Sequence, residues 1–358
     1  MRSSWVSIGL GFGLCAQLLL AQIAPRPLDA ATDASSGSQS FHSPVVGLVS
    51  STNRVEVRAI LGVPGAALLS APLPVPADVT RLYFAPGQQY ALAERGGSSK
   101  PQYASRSRAA SLRTASLPLA VVTFTGAQLG ALNPVIGIAE PDIVSFSPSG
   151  GAAVLYSTSE AQLEVLTGLP SSPQISLQIA RSSLPDDPQF LAIADDGVTL
   201  LEGSVHNAVY LIGSSTQPSL IFSATTLAAM IFAPASSTAA VFDSATGSVS
   251  LLQNVSGSPS TRLLTSGLSN LGPAAMVQFD SSAVLVTGSG SNTLWRIDSN
   301  TSQSQQVQLP ALPASIAPLQ LPHRFLLSWS SGQPAWMLDT SGPSQAVYFI
   351  APGGGQAQ

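Results

Sequence analysis

Six segments of this sequence repeat one pattern, and internal repetition narrows the choice of fold more than any local signal does. Each segment opens with an apolar stretch ending in a large apolar residue, passes through a short polar or Gly/Pro turn, and resumes as a second apolar run. They read LYFAPGQQYALAE from Leu82, VSFSPSGGAAVLYS from Val144, LAIADDGVTLLEG from Leu191, MIFAPASSTAAVFD from Met230, VQFDSSAVLVTG from Val277 and LQLPHRFLLSW from Leu319. The residue before each turn forms an anchor series, Phe84, Phe146, Ile193, Phe232, Phe279 and Leu321, at intervals of 62, 47, 39, 47 and 42 residues. All but the first interval sit near the period of four-stranded propeller blades, about 40 to 50 residues.

Each unit also carries a second hairpin with period-2 apolar alternation, such as QLEVLTG from Gln162, AVYLIGS from Ala208, SVSLLQN from Ser248, TLWRIDS from Thr293 and PAWMLDT from Pro334. A turn and a final strand such as ISLQI or SLIFS follow, which makes four strands per unit. Helical periodicity is lacking almost everywhere, and no helix longer than two turns is expected in the mature domain. VVGLVSSTNRVEVRAILG, from Val45 to Gly62, matches a second hairpin without a first. A propeller must close, and chain ends that meet in or beside one blade hide its edges. The expected fold is therefore an all-β propeller of four-stranded blades, seven with one incomplete, the alternative being six blades plus an N-terminal hairpin. The propeller domain is expected over residues 44–351, with a flexible tail over 352–358. The long first interval places a Ser/Arg-rich insertion at 95–116, within the first full blade.

The turns and strands of this pattern resemble those of the bacterial YVTN-type propellers, on VVGLVSSTNRVEVRAILG and LWRIDSNTSQSQQVQL alternating with FSPSG and FAPG turns, across residues 44 to 351. The resemblance implies the propeller fold and a bacterial source, and leaves function open, because such propellers serve many roles. The Asp-Gly turn is kept at Asp196-Gly197, and the Tyr-Val-Thr-Asn strand is intact in no unit.

Composition removes several other classes. With 45% hydrophobic residues and a net charge of -4 the chain is not disordered by charge, and 30 Gly and 28 Pro would interrupt any long helical bundle. Fourteen basic residues against 18 acidic ones leave nothing to neutralise a nucleic-acid backbone. Residues 1–24 carry Arg2, an uncharged apolar run from Trp5 to Ala24 and small residues at Ala21 and Ala24, the parts of an export signal, and 25–43 reads as a flexible linker. The protein is expected to be periplasmic or extracellular; the run also reaches the length of a bilayer span, so an uncleaved N-terminal anchor is the alternative and the one expected membrane contact. Cys15, the only cysteine, lies in this segment, so the mature domain must be held by packing rather than disulfides. The Gly9, Gly11 and Gly13 spacing lies there too, without a preceding strand, and is no phosphate loop.

Residues able to carry chemistry are few. His42, His206 and His323 share no metal-ligand spacing, and no metal or cofactor is expected. Asp186, Asp187, Asp195 and Asp196 form the densest acidic cluster; two such pairs could flank a sugar or hold calcium, but PDDP and ADDG also read as turns at the two ends of one strand. GxSxG is absent from the repeats, and no catalytic residue is assigned. The insertion gathers Arg95, Lys100, Arg106, Arg108 and Arg113 around Tyr103, and could bind an anionic surface, a polysaccharide or a protein, its plainer role being a solvated loop. Trp295, Trp329 and Trp336 fall on strands, where packing between sheets competes with a carbohydrate face. The expected function is an exported, monomeric, non-catalytic scaffold for a protein or glycan. A propeller hydrolase of lactonase-like or glycan-cleaving type is the alternative, and a structural component of a cell-surface assembly a third reading. The first two differ at the central channel: a hydrolase would converge groups such as Glu140, Asp142, Asp187 or Glu202 there, a scaffold would line it with small or apolar residues.

Overall fold

A computed structural model of the chain describes residues 43–50, 55–96, 119–138, 140–213, 217–269, 271–272, 275–328, 334–342 and 344–353. The export segment, nearly all of the linker and most of the insertion lie outside the described residues, and so do His42, Lys100, Tyr103, Arg106, Arg108, Arg113 and Trp329.

The described chain forms seven antiparallel sheets, each a meander of consecutive strands. Blade 1 has three strands, β1 (Val45–Ser50), β2 (Val57–Leu61) and β3 (Leu68–Pro72). Blade 2 holds β4 (Val79–Phe84), β5 (Tyr90–Arg95), β6 (Leu119–Thr125) and β7 (Gln128–Val135). Blade 3 holds β8 (Ile143–Phe146), β9 (Ala152–Ser157), β10 (Gln162–Thr167) and β11 (Gln174–Ala180). Blade 4 holds β12 (Pro188–Ile193), β13 (Leu200–Ser204), β14 (Ala208–Ile212) and β15 (Ser219–Ser223). Blade 5 holds β16 (Leu227–Phe232), β17 (Ala239–Asp243), β18 (Ser248–Gln253) and β19 (Ser260–Thr265). Blade 6 holds β20 (Ala275–Asp280), β21 (Ala283–Gly288), β22 (Ser291–Asp298) and β23 (Ser304–Gln308). Blade 7 holds β24 (Ala317–Pro318), β25 (Arg324–Ser328), β26 (Ala335–Asp339) and β27 (Ala346–Ile350). Among the described residues the only helical element is a single 3-10 turn at Arg181–Ser183.

Burial follows strand position. The second strands of blades 3, 5 and 6, AAVLYS, AAVFD and AVLVTG, are buried at every residue, because sheets press on both of their faces. The last strands, such as QISLQIA of β11, alternate exposed and half-buried positions, as expected at the rim. Neighbouring blades meet through one apolar cluster each. Blades 5 and 6 share Phe242, Val249, Val284 and Ile297, and blades 6 and 7 share Leu285, Leu294, Phe325 and Leu338. The remaining clusters join 1 to 2, 2 to 3, 3 to 4 and 4 to 5. The seventh joins blade 1 to blade 7 through Val46, Val49 and Ile60 against Leu326, Met337 and Ile350, which closes a seven-bladed propeller.

Blade 1 is the incomplete one, and the structure refines how. The segment read as a lone hairpin continues into a third strand, β3, which is largely exposed like the last strands of the other blades, so among the described residues the position left open is the innermost. Near the far end of the described chain the Leu69 amide donates to the Ala351 carbonyl at 3.0 Å, beside a parallel bridge between Leu68 and Ala351, so that contact is made by the outermost strand. At the inner position a side chain stands in. The Leu48 amide donates to Gln88 Oε1 at 2.6 Å, and Gln88 Nε2 donates to the Leu48 carbonyl at 2.9 Å. The Gln88 carboxamide thus presents the donor and acceptor of one peptide group. Gln320 Nε2 donates to the Gln88 carbonyl at 3.3 Å, tying the turns of blades 2 and 7 over the gap.

Gln88→Ala should leave the buried Leu48 amide and carbonyl unpaired and lower stability by about 1–3 kcal/mol in chemical denaturation. A loss below about 0.3 kcal/mol would show that the carboxamide does not hold this edge.

Candidate functional site

A cavity of about 830 Å3 opens where the first strands of the blades give way to the turns that follow them. Five of the six anchor residues line it, Phe84, Phe146, Phe232, Phe279 and Leu321, together with Leu48 and Ser50 of β1. The anchor period therefore marks one wall position in each of blades 2, 3, 5, 6 and 7, while Ile193 of blade 4 is not among the lining residues. The titratable lining residues are Asp280, His323 and Arg324. Glu140, Asp142, Asp187 and Glu202 are not among the lining residues: Glu140 and Asp142 precede β8, Asp187 precedes β12, and Glu202 lies within β13.

The turns at the cavity mouth need a left-handed residue to reverse the chain so tightly. Blades 3 and 4 supply glycine, Gly150 at φ 75° and Gly197 at φ 68°, which adopt this region without a Cβ clash. Blades 5, 6 and 7 place Ala235, Ser281 and His323 there, at φ 50°, 52° and 60°, a costlier choice that surrounding bonds must hold. For His323 the bond is visible: its Nδ1 meets Asp280 Oδ1 of blade 6 at 2.5 Å, with the carboxylate side chain 4% exposed and the imidazole 39%. Nδ1 is thereby committed to the carboxylate, which leaves Nε2 as the ring nitrogen free of that bond. Arg324 is paired with Asp339 at 2.9 Å. For Ala235 the holder is Asp195, whose two oxygens accept from the Ala235 amide at 2.8 Å and the Ser149 amide at 2.7 Å, linking the turns of blades 3, 4 and 5. Burial pushes the Asp195 carboxyl up, but the bonds from Ser149 and Ala235 outweigh it and hold it below the usual carboxylate range.

Asp196 accepts from the Val198 and Thr199 amides, both at 2.8 Å, within its own turn. Asp186 and Asp187 stand at the other end of β12, where Asp186 bonds His206 and Asp187 bonds Arg181. The two acidic pairs are thus separated by the length of a strand. Arg95 is the last residue of β5, and its Nε donates to Asp78 at 2.7 Å. Trp336 packs edge-on against Phe349 with centroids 5.4 Å apart, and Trp295 packs against the cluster between blades 5 and 6. Among the described residues no group of three or more His, Cys, Asp or Glu side chains could hold a metal.

Residue-by-residue reading named His323 but missed Asp280 and the pairing of the two. The signal lay in the repeat: Asp280 follows its anchor by one residue and His323 follows its own by two, so both belong to turns on one rim in adjacent blades.

No protein-family model and no curated protein matches the chain. Solved structures do. A protein from Lactobacillus plantarum is 11% identical with a TM-score of 0.55, covering 87% of this chain and 97% of its own. A functionally unknown protein from Desulfotomaculum acetoxidans is 13% identical with a TM-score of 0.54, covering 86% and 99%. A candidate 6-phosphogluconolactonase from Bacteroides fragilis is 12% identical with a TM-score of 0.52, covering 88% and 95%. At such identities the likeness is one of fold alone.

Glu202 carries a consequence of its own. It is 0% exposed, neither carboxylate oxygen is hydrogen-bonded, and burial pushes its pKa up to about 7, with Arg181 opposing the rise and Asp186 and Asp187 adding to it. In the unfolded chain the group ionises near 4.5, so the folded state binds the proton more tightly and stability declines as pH rises from about 4.5 to about 7. Glu202→Gln should melt higher than the parent at pH 8, by up to about 3 kcal/mol of stability, and match it at pH 4. An equal difference at both pH values in thermal melts would rule out ionisation as the cause.

Proposed function

We propose that the protein is a non-catalytic binding scaffold of the YVTN-type propeller group, exported through residues 1–24 and joined by the linker at 25–43 to a monomeric propeller over 44–351. One observation carries this reading: the cavity at the channel mouth is walled by the Phe84, Phe146, Phe232 and Phe279 anchors, while Glu140, Asp142, Asp187 and Glu202 stand elsewhere. This aromatic-walled recess suits an apolar group of a partner better than the polar ring of a glycan, because Gln88, Asp280, His323 and Arg324 of its lining are already bonded within the protein. A protein partner is the better-supported choice. The basic insertion, with Lys100, Tyr103, Arg106, Arg108 and Arg113, is a second candidate contact, independent of the cavity.

The neutral dye Nile red should bind one site per chain with enhanced fluorescence, and Ser145→Trp, which adds bulk at the wall, should weaken it about tenfold or more. Binding that Ser145→Trp leaves unchanged would place apolar recognition outside the cavity.

The Asp280–His323 pair favours a second reading, hydrolysis of a lactone or ester. A His oriented by a buried carboxylate through Nδ1 has, in its neutral form, the parts of a general base for water attack at Nε2. That reading expects turnover of a δ-lactone or an aryl ester that falls at least a hundredfold in His323→Ala. No turnover, or turnover that survives the substitution, would leave the scaffold reading standing.

A further inference from the structure

The open inner edge of β1 makes part of the cavity wall unlike the rest. In the other six blades a first strand lies inside the second, whereas in blade 1 no strand among the described residues occupies this place. Leu48 directs its amide and carbonyl away from β2 to Gln88, so by the alternation of a strand the amide and carbonyl of Ser50 face the same open side. Leu48 and Ser50 both line the cavity, and the edge therefore opens into it. An unpaired edge is a template for another strand.

We propose that this edge is the docking site of an extended, uncharged segment of a partner protein, which adds to β1 as the innermost strand of blade 1 and runs along the cavity wall. The inference rests on the binding-scaffold reading and names its partner class.

Three observations fix the chemistry of the occupant. The carboxamide of Gln88 is the shape and polarity of a peptide group, and it already makes the pair of bonds that a strand residue opposite Leu48 would make. The segment must displace it, which sets a modest affinity. Next, charges on the wall are already matched: His323 is bound to Asp280 and Arg324 to Asp339, so a charged segment would find no counter-ion free. Last, four of the six first strands, β8, β12, β16 and β24, carry no charged residue, and IVSF of β8 and LAAMIF of β16 end on the anchor phenylalanine. A segment of this kind would place a large apolar side chain beside those of Phe84 and Phe279.

The test uses the full chain and a capped six-residue peptide copying Ile143–Pro148, IVSFSP, in calorimetric titration. A second peptide has the same side chains but N-methyl groups on alternate backbone nitrogens. Saturable 1:1 binding of the first peptide is expected, at least tenfold weaker binding of the methylated one, and at least threefold tighter binding to Gln88→Ala, where no carboxamide competes. Ser50→Pro, which removes an edge amide, should weaken binding about tenfold while its melting curve stays cooperative. Equal affinity for the two peptides would overturn strand addition and leave cavity binding intact. So would absence of peptide binding to a chain that still binds Nile red. A dimer of the free chain that Ser50→Pro dissolves would assign the edge to a second copy instead of a partner. Peptide binding that appears only after proteolysis before Ser43 would assign it to the chain's own preceding residues. Either result overturns the proposal.

Discussion

A ring of sheets has as many interfaces as sheets, so one interface must always be made by the parts of the chain farthest apart in sequence. Here that joint is the contact of Val46, Val49 and Ile60 with Leu326, Met337 and Ile350, and everything else in the propeller depends on it. Were it to fail, two sheets would each expose an apolar face to water. The joint is apolar, backed by one backbone bond from Leu69 to Ala351 at the rim. A chain whose only cysteine lies before the domain has no covalent alternative, so the clusters bear the whole demand of holding the ring.

The same joint explains the peculiar inner wall of blade 1. With no strand inside β1 among the described residues, two neighbouring turns lean across the gap. Gln88 arrives from blade 2, and Leu319 from blade 7 comes so near Gly47 that a Cβ there would lie 2.6 Å from the leucine side chain. Glycine at 47 is thus required by closeness and not by backbone angle. Side-chain packing has replaced a strand where the ring meets itself.

The architecture was legible because its cause is periodic. Phe84, Phe146, Phe232 and Phe279 recur with the blade because each must fill the same place on the wall, and burial on both faces forces the small and apolar runs of β9, β17 and β21. The incompleteness of blade 1 could be read for the same reason: VVGLVSS lacks a preceding hairpin. What could not be read depends on single side chains meeting across blades. Nothing local to Gln88 says that its amide will bond Leu48, and Asp280 and His323 look unrelated until the repeats are laid in register. The acidic pairs show the reverse. Asp195 and Asp196 are neighbours in sequence, yet Asp196 serves its own turn while Asp195 reaches the turns of two other blades.

The joint between the first and last blades also bears on the order of events in folding. Loop-closure entropy grows only with the logarithm of length, about 0.6 kcal/mol for each doubling, so joining the ends of so long a chain costs little more at equilibrium than joining neighbouring blades. Time is another matter, since contacts of great sequence separation form slowly. Neighbouring blades can pair early, and until the ends meet the growing stack has two apolar flanks. The ring's closing contact is therefore cheap in free energy and late in time, and the period of greatest exposure to aggregation falls just before it forms.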